Sequence, residues 1–283
     1  MTEETLTLTA DDGTALAARL FRPAGTPRVA VLVNGAVGTA QRFYTRFAAW
    51  LAERGALALT YDYRGIGASR AGSLRGAPID LLDWGQRDYP AALDALAAAG
   101  PGLPLVVVGH SFGGQALGMT PASARLAAAV LVAAQSGYHG HWSGRGRLRM
   151  LTLWYALIPG ATAVAGYFPR QLGLGADLPR GMARQWARWG RHPDYVLSEL
   201  GDAATYRQLT MPRLAIRFTD DDFAPARAVE ALLGWMPQDD LERVVIDPAD
   251  VGQPVGHFGF FRPAVGERLW PQLWAFLDRV ALP

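Results

Sequence analysis

The chain has 283 residues, half of them hydrophobic and 18% charged, so it is long and apolar enough to bury a large core in one domain with an insertion. It has no cysteine, and all 27 basic residues are arginine, which excludes disulfides, thiolate metal sites, a cysteine nucleophile and Schiff-base chemistry on lysine. The net charge of +2 is small and the arginines are scattered, so we expect no nucleic-acid partner.

The first 13 residues are acidic and lack the apolar stretch of a signal peptide. We see no uninterrupted apolar stretch that approaches the length of a membrane span. The sequence therefore predicts a cytoplasmic protein with no membrane partner.

Strand and helix patterns alternate along most of the chain. Asp12-Gly13 is typical of a hairpin turn between the first two strands. Such alternation predicts an α/β fold with a doubly wound, mostly parallel, eight-stranded sheet that is covered by helices on both faces. The predicted strands lie at 4–9, 15–22, 29–33, 56–61, 105–108, 126–134, 213–218 and 242–246, and the predicted helices near 40–54, 80–99, 225–235 and 264–280, with one more helix after the strand at 105–108.

The most informative segment is LVVVGHSFGG at 105–114, in which an apolar strand leads into Gly109-His110-Ser111-Phe112-Gly113. A G-x-S-x-G sequence between a strand and a helix is typical of a nucleophile elbow, a strained turn that exposes a serine. The two glycines are expected where the turn brings chains too close for side chains. We therefore interpret Ser111 as a nucleophile, and the alternative is a glycine-rich turn with a solvated serine.

A serine nucleophile needs a histidine base and an acid that orients it. In folds with this elbow the order along the chain is serine, acid, histidine. Of the five histidines, only His257 lies beyond the acidic cluster 220–222 that ends a predicted strand. The preceding strand end, at 134–137, has no carboxylate, so the acid belongs to this cluster, whose other members are expected to face water or cap the next helix.

The chain resembles the α/β-hydrolases over nearly its whole length. The resemblance rests on the Asn34-Gly35 loop, on YDYRGIGAS at 61–69, on the GHSFGG elbow, on DDDFAP at 220–225 and on the terminal histidine loop. It favours Asp221 as the acid, with Asp222 as the alternative, because the acid commonly lies four residues before the proline. Many relatives have His-Gly where this chain has Asn34-Gly35. This departure bears on the shape and polarity of the acyl site and not on the catalytic triad of serine, acid and histidine.

Acyl transfer also requires an oxyanion hole. The resemblance implies that one donor is the backbone N–H of Phe112, after the nucleophile, and that the second comes from the loop after strand 29–33. We favour Ala36 as the second donor, with Val37 next. The alternative is that this loop is an ordinary glycine-rich turn.

The segment 137–208, called the insertion below, departs from the alternating pattern and is rich in aromatic residues. We interpret it as a helical cap over the active site, and the parts at 1–136 and 209–283 as the hydrolase core. Most of its aromatic residues are expected to pack the cap onto the core. Val37, His110, Tyr138 and His139 are the candidate substrate-binding residues, whereas His139-Gly140-His141 lacks a third ligand for a metal site.

These features predict a serine hydrolase that cleaves a carboxylic ester or thioester of a small to medium apolar substrate, without a cofactor. Acyl transfer to an alcohol, amide or peptide cleavage and C–C hydrolysis remain alternatives on the same triad. A non-catalytic ligand-binding protein with the same fold is the alternative of another class. The expected partner is a small-molecule substrate, and a homodimer is left open.

Overall fold

A computed structural model describes residues 1–281 of the chain. Its main feature is an eight-stranded sheet in which the strands follow the order β1-β2-β4-β3-β5-β6-β9-β10. The first two strands are antiparallel to their neighbours and the other six run parallel. The strands are β1 Thr2–Thr9, β2 Ala15–Arg22, β3 Val29–Asn34, β4 Ala56–Tyr61, β5 Leu105–His110, β6 Ala128–Val132, β7 Tyr167–Phe168, β8 Leu178–Pro179, β9 Arg213–Phe218 and β10 Leu241–Ile246.

Burial of the strands follows from their position in the sheet. Every residue of the central strands β3, β4 and β6 is buried, as the continuous runs of apolar residues predict for parallel strands covered on both faces. The outer strand β10 is largely exposed. The predicted sheet is therefore confirmed, together with the Asp12-Gly13 hairpin, in which Gly13 has a φ of +82°.

Helices cover both faces of the sheet and also form the insertion. The α-helices are α1 Thr45–Glu53, α2 Leu81–Asp83, α3 Tyr89–Ala99, α4 Phe112–Gln115, α5 Gly144–Thr152, α6 Ile158–Ala165, α7 Arg180–Arg191, α8 Leu197–Leu200, α9 Ala204–Arg207, α10 Ala226–Leu233, α11 Pro248–Val251 and α12 Pro263–Val280. A π-helical turn joins α2 to α3 and another joins α5 to α6.

The helix that follows the elbow, α4, is short. After α4 the chain continues as a 3-10 helix over Ala116–Met119 and then becomes extended at Thr120. Glycine disfavours a long helix, and three of the residues between 112 and 119 are glycine. A side chain at Gly118 would place its Cβ 2.0 Å from the ring of Tyr206, which packs there instead.

The elements of the insertion lie between β6 and β9: helices α5 to α9 and the two-stranded β7–β8 ladder. Contrary to the expectation from sequence, one stretch of it, Gly144–Ala165, is long and apolar enough to cross a membrane by length and composition, with a hydropathy of 1.3 in its most apolar window. Trp154 and Ile158 of this stretch are fully buried, but only 28% of its most apolar window is buried within the protein. One such stretch is weak evidence for a membrane span, because a helix that packs on a protein core can pass the same test of length and composition.

Candidate active site

The G-x-S-x-G segment forms a sharp turn between β5 and α4. Ser111 has φ +53° and ψ −115°, a region that costs a non-glycine residue about 1–3 kcal/mol and is found mainly at functional sites. The glycines on either side allow this turn. A Cβ at Gly109 would lie 2.6 Å from the Gly113 carbonyl, and one at Gly113 would lie 1.9 Å from the Asn34 carbonyl.

His257 and Asp221 form a close, shielded pair. The distance between His257 Nδ1 and Asp221 Oδ2 is 2.7 Å, and their side chains are 7% and 0% exposed. The other carboxylate oxygen, Oδ1, accepts hydrogen bonds from the backbone N–H groups of Phe223 at 2.8 Å and Ala224 at 3.1 Å. Because both oxygens are held, the carboxylate can fix the orientation and tautomer of the imidazole ring.

The three consecutive aspartates have different environments. Asp220 accepts hydrogen bonds from the backbone N–H groups of Val255 at 2.9 Å and Gly256 at 3.0 Å, so it fixes the loop that carries His257. Asp222 has an exposed side chain, and its carbonyl accepts a hydrogen bond from the Trp142 indole. The structure thus brings Asp221, and not Asp222, to the imidazole. Asp220 is exposed, as expected of the other members of the cluster, and it also binds the loop that carries His257.

Ser111 and His257 line the same cavity, which has a volume of about 860 Å³. The Ser111 hydroxyl donates a long hydrogen bond of 3.5 Å to Gln135 Oε1. No hydrogen bond joins Ser111 to His257 within residues 1–281. In free enzymes the bond between a nucleophile and its base is often long or poorly aligned, and it tightens when substrate binds. Gln135 lies three residues after the end of β6, in the segment that lacks a carboxylate.

The loop after β3 differs from the expected oxyanion hole in one respect. The Ala36 N–H donates to the Tyr44 hydroxyl at 2.9 Å, so this donor is already engaged inside the protein. The alternative donor, the N–H of Val37, makes no hydrogen bond within residues 1–281, and Val37 lines the cavity. Phe112 begins α4 directly after Ser111, and its backbone N–H lies in the first helical turn, where such groups lack a partner within the helix.

His110 does not contact the cavity, in contrast to its predicted role in substrate binding. It is completely buried. Its Nε2 lies 2.8 Å from the His257 carbonyl, and its Nδ1 lies 2.9 Å from the Tyr44 hydroxyl. A carbonyl only accepts, so Nε2 carries the proton and the Tyr44 hydroxyl donates to Nδ1. Burial lowers the pKa of His110 well below its usual range, which keeps the ring neutral.

These bonds form a continuous chain from Ala36 through Tyr44 and His110 to His257. The aromatic ring of Phe261 packs against its two central members, with centroids 5.0 Å from Tyr44 and 4.8 Å from His110. This series of hydrogen bonds connects the loop after β3, the elbow and the histidine loop. It thereby fixes the positions of the three segments relative to one another.

Asn34, which stands where many relatives have histidine, does not line the cavity either. Its Nδ2 donates to the Gly113 carbonyl at 2.9 Å, and its Oδ1 accepts from the hydroxyl groups of Tyr63, at 2.7 Å, and Tyr61. The prediction that Asn34 changes the polarity of the acyl site is therefore wrong. Asn34 is fully buried and ties the elbow to the sheet.

The YDYRGIGAS segment has a structural role of the same kind. Asp62 accepts hydrogen bonds from the backbone N–H groups of Gln41 at 2.7 Å and Ala68 at 2.9 Å. Arg64 pairs with Asp12 and with Asp88, each at 2.7 Å. Burial raises the pKa of Asp88 to about 6 in spite of the arginine. The segment thus fixes the turn whose next residues, 65–67, reach the cavity.

Two of the candidate substrate-binding residues lie elsewhere. Tyr138 and His139 are not among the described residues that line the cavity. Their rings pack on one another with centroids 4.7 Å apart, and Tyr138 also packs edge-on against His141. After Gln135 the chain turns away into the insertion, which removes both side chains from Ser111. Among residues 1–281 no cluster of histidine and acidic side chains could hold a metal ion.

The walls of the cavity include several residues that sequence reasoning missed. They are aromatic or cationic and come from several separate segments of the chain: Arg42, Phe43, Arg70, Arg170, Trp186, Phe223, Phe258 and Arg262. Arg170 and Trp186 belong to the insertion. The prediction that insertion aromatics pack mainly inside the protein agrees with the full burial of Trp154 and Trp189.

The sequence matches a model of the "Alpha/beta hydrolase family" over residues 30–266. It is 29% identical over 133 residues to the monoglyceride lipase of Homo sapiens, a match that spans 47% of this chain and only 38% of that protein.

Solved structures share the fold at low sequence identity. A highly thermostable carboxyl esterase from Bacillus coagulans, in complex with glycerol, has a TM-score of 0.68 and 14% identity over the full length of both chains. The alpha/beta hydrolase GrgF from Penicillium sp. sh18 has a TM-score of 0.61 and 21% identity over 99% of each chain. The family model covers most of the chain, and the sheet order and the elbow agree with it. This protein therefore belongs to the alpha/beta hydrolase family.

Proposed function

We propose that the protein is a serine esterase that cleaves carboxylic esters through an acyl-enzyme formed on Ser111. The observation that carries the proposal is that Ser111, on a strained elbow, faces the same cavity as His257, whose imidazole is bound to Asp221 at 2.7 Å. A nucleophile, a base and an orienting acid are the groups that acyl transfer requires. The printed names of two similar proteins, a carboxyl esterase and a monoglyceride lipase, support the same reaction class.

In the first step, the Ser111 hydroxyl attacks the ester carbonyl carbon while His257 Nε2 accepts its proton. The carbonyl oxygen becomes an oxyanion that accepts hydrogen bonds from the backbone N–H groups of Phe112 and Val37. We assign the second donor to Val37 because the Ala36 N–H is engaged by Tyr44. Preorganised donors of this kind are worth several kcal/mol in an enclosed site.

In the second step, the imidazolium protonates the leaving alcohol, and water then hydrolyses the acyl-enzyme with His257 as base. Asp221 stabilises the imidazolium through Oδ2 while its other oxygen stays bound to two backbone N–H groups. The insertion contributes Arg170, Leu174 and Trp186 to the cavity wall. This supports its role as a cap that shapes the acyl site.

The test is a chain-length series of p-nitrophenyl esters, from acetate to laurate, with the wild type and the variant Ser111→Ala. We expect a maximum at medium chain length, because the cavity of about 860 Å³ is closed on one side by the insertion. The variant should lose about 10⁴-fold to 10⁶-fold in kcat. Equal turnover by the variant would contradict the assignment of the nucleophile.

A further inference from the structure

The mouth of the cavity has an unusual balance of charge. Four arginines line the cavity, Arg42, Arg70, Arg170 and Arg262, and Asp177 is the one carboxylate that lines it among the described residues. The chain as a whole carries nearly equal numbers of basic and acidic residues, 27 and 25. The arginine excess at the mouth is therefore local and does not follow from the overall composition.

Asp177 neutralises the positive charge of only one of these arginines. Its Oδ2 pairs with Arg70 at 3.1 Å, and its Oδ1 accepts the backbone N–H of Arg170 at 2.9 Å, not the Arg170 guanidinium. The guanidinium groups of Arg42, Arg170 and Arg262 make no ion pair or hydrogen bond within residues 1–281. Three cations without an acidic partner thus line the cavity that contains Ser111.

The three arginines are spread over separate walls. Arg42 precedes Phe43 in the chain and Arg262 follows Phe258 by four residues, and the rings of these two phenylalanines pack with centroids 5.9 Å apart. Arg170 comes from the insertion, on the segment held by Asp177. Charges of one sign in a cleft with low-dielectric walls concentrate ligands of the opposite sign. The guanidinium fork also matches carboxylate and phosphate groups, to which it can donate two parallel hydrogen bonds.

We propose that the preferred substrate is an ester that carries a second, anionic group, a carboxylate or a phosphate, bound by Arg42, Arg170 and Arg262 while its ester carbonyl lies at Ser111. This inference rests on the proposed esterase function and narrows its substrate class. The apolar surface of Phe43, Phe223 and Phe258 would contact the carbon chain between the two groups.

The test compares matched esters that differ only in charge. On the acyl side, p-nitrophenyl hexanoate is paired with the p-nitrophenyl monoester of adipic acid. On the alcohol side, 4-carbamoylphenyl hexanoate is paired with 4-carboxyphenyl hexanoate and with the hexanoate ester of 4-hydroxyphenyl phosphate. The ratio of kcat/KM for the anionic ester to that for its neutral partner is measured at low and at high salt. The two pairs show which end of the substrate, and which anion, the arginines bind.

We expect at least one anionic ester to be preferred about tenfold or more at low salt, and the preference to shrink at high salt because exposed charges are screened. The variants Arg42→Gln, Arg170→Gln and Arg262→Gln should each lower the ratio threefold to tenfold, mainly through KM. Arg28→Gln is the matched control, because Arg28 precedes β3 at the opposite end of the strands and pairs weakly with Asp278 at 3.9 Å. It should leave the ratio unchanged.

Hydrolysis of the neutral esters with no preference for any anionic ester would overturn this inference and leave the proposed esterase function standing. Equal ratios in the wild type and in all three cavity variants would also overturn it. If the folded protein hydrolyses none of the esters, the proposed function fails together with the inference.

Discussion

The carbonyl of His257 accepts a hydrogen bond from the imidazole of His110, with a distance of 2.8 Å between Nε2 and the oxygen. The residue that precedes the nucleophile thus fixes the backbone of the residue we assign as the base. The two imidazole rings lie with centroids 5.1 Å apart. Because β5 carries His110 and Ser111 in succession, any shift of the elbow is transmitted to the histidine loop.

The first prediction concerns the hydroxyl group of Tyr44, which holds both Ala36 and His110. The variant Tyr44→Phe should lower kcat about tenfold to 100-fold with little change in KM, since small displacements of catalytic groups have effects of this size. Steady-state kinetics with a p-nitrophenyl ester measures it. Tyr206→Phe is the control, because its buried hydroxyl bonds only the Gln115 carbonyl. Equal losses in both variants would show that Tyr44 acts through general stability instead.

The second prediction separates the three aspartates. Asp221→Asn should lower kcat about 10⁴-fold, because an amide favours the wrong tautomer of the imidazole. Asp222→Asn should change kcat less than about twofold, since that side chain is exposed. Asp220→Asn should have an intermediate effect, because it loosens the loop at Val255 and Gly256. A large loss in Asp222→Asn with a small one in Asp221→Asn would reverse the assignment of the acid.

The third prediction concerns pH and stability. Burial holds the pKa of His110 well below the usual value of 6.5 in the folded protein, whereas the unfolded chain takes up a proton near that value. The unfolded state therefore binds more protons, and the free energy of unfolding falls as pH decreases below about 6.5, by at most about 1.4 kcal/mol per pH unit for this residue.

Denaturant titrations between pH 5.5 and 7.5 measure this slope. The variant His110→Gln should flatten it, whereas His192→Gln, which changes an exposed histidine, should not. His139 and His141, whose pKa values are also lowered by burial, contribute the same sign and remain in both variants. An unchanged slope in His110→Gln would contradict a neutral, buried His110.

The fourth prediction concerns the packing of the elbow. In Gly113→Ala the new methyl group would lie 1.9 Å from the Asn34 carbonyl, so the backbone must move. We expect a loss of about 3 kcal/mol or more in the free energy of unfolding, at the upper end for overpacked sites. Gly25→Ala is the control, because no atom lies within 4 Å of that added Cβ. Similar stability of the two variants would contradict the close approach.

Patterns along the chain predict the sheet and the residues at its strand ends. Buried strands are continuous apolar runs, and β9 begins and ends where the sequence predicts. The elbow has a local signature, because only glycine fits where Gly109 and Gly113 meet other backbone. The sequence narrows the choice of acid to a cluster of three aspartates. Which of them pairs with His257 depends on contacts between segments that are far apart in the chain.

The cavity wall was less predictable for a physical reason. Arg42, Arg170 and Arg262 lie in segments far apart in the sequence, and only the tertiary fold brings them to one cavity. The engagement of Ala36 by Tyr44 likewise depends on how the chain packs across eight residues of loop and helix. Tyr138 and His139 follow β6 closely in sequence, yet the path of the chain after Gln135 leaves them outside the described lining of the cavity.

The intact mass of the protein after incubation with a fluorophosphonate shows whether Ser111 is an activated nucleophile. We expect one covalent adduct on the wild type, formed on Ser111, and none on Ser111→Ala. The adduct should form much more slowly on His257→Gln, which keeps the serine but lacks the base. An unmodified wild type that is folded, or an adduct that persists in Ser111→Ala, would contradict the assignment of Ser111 as the activated nucleophile.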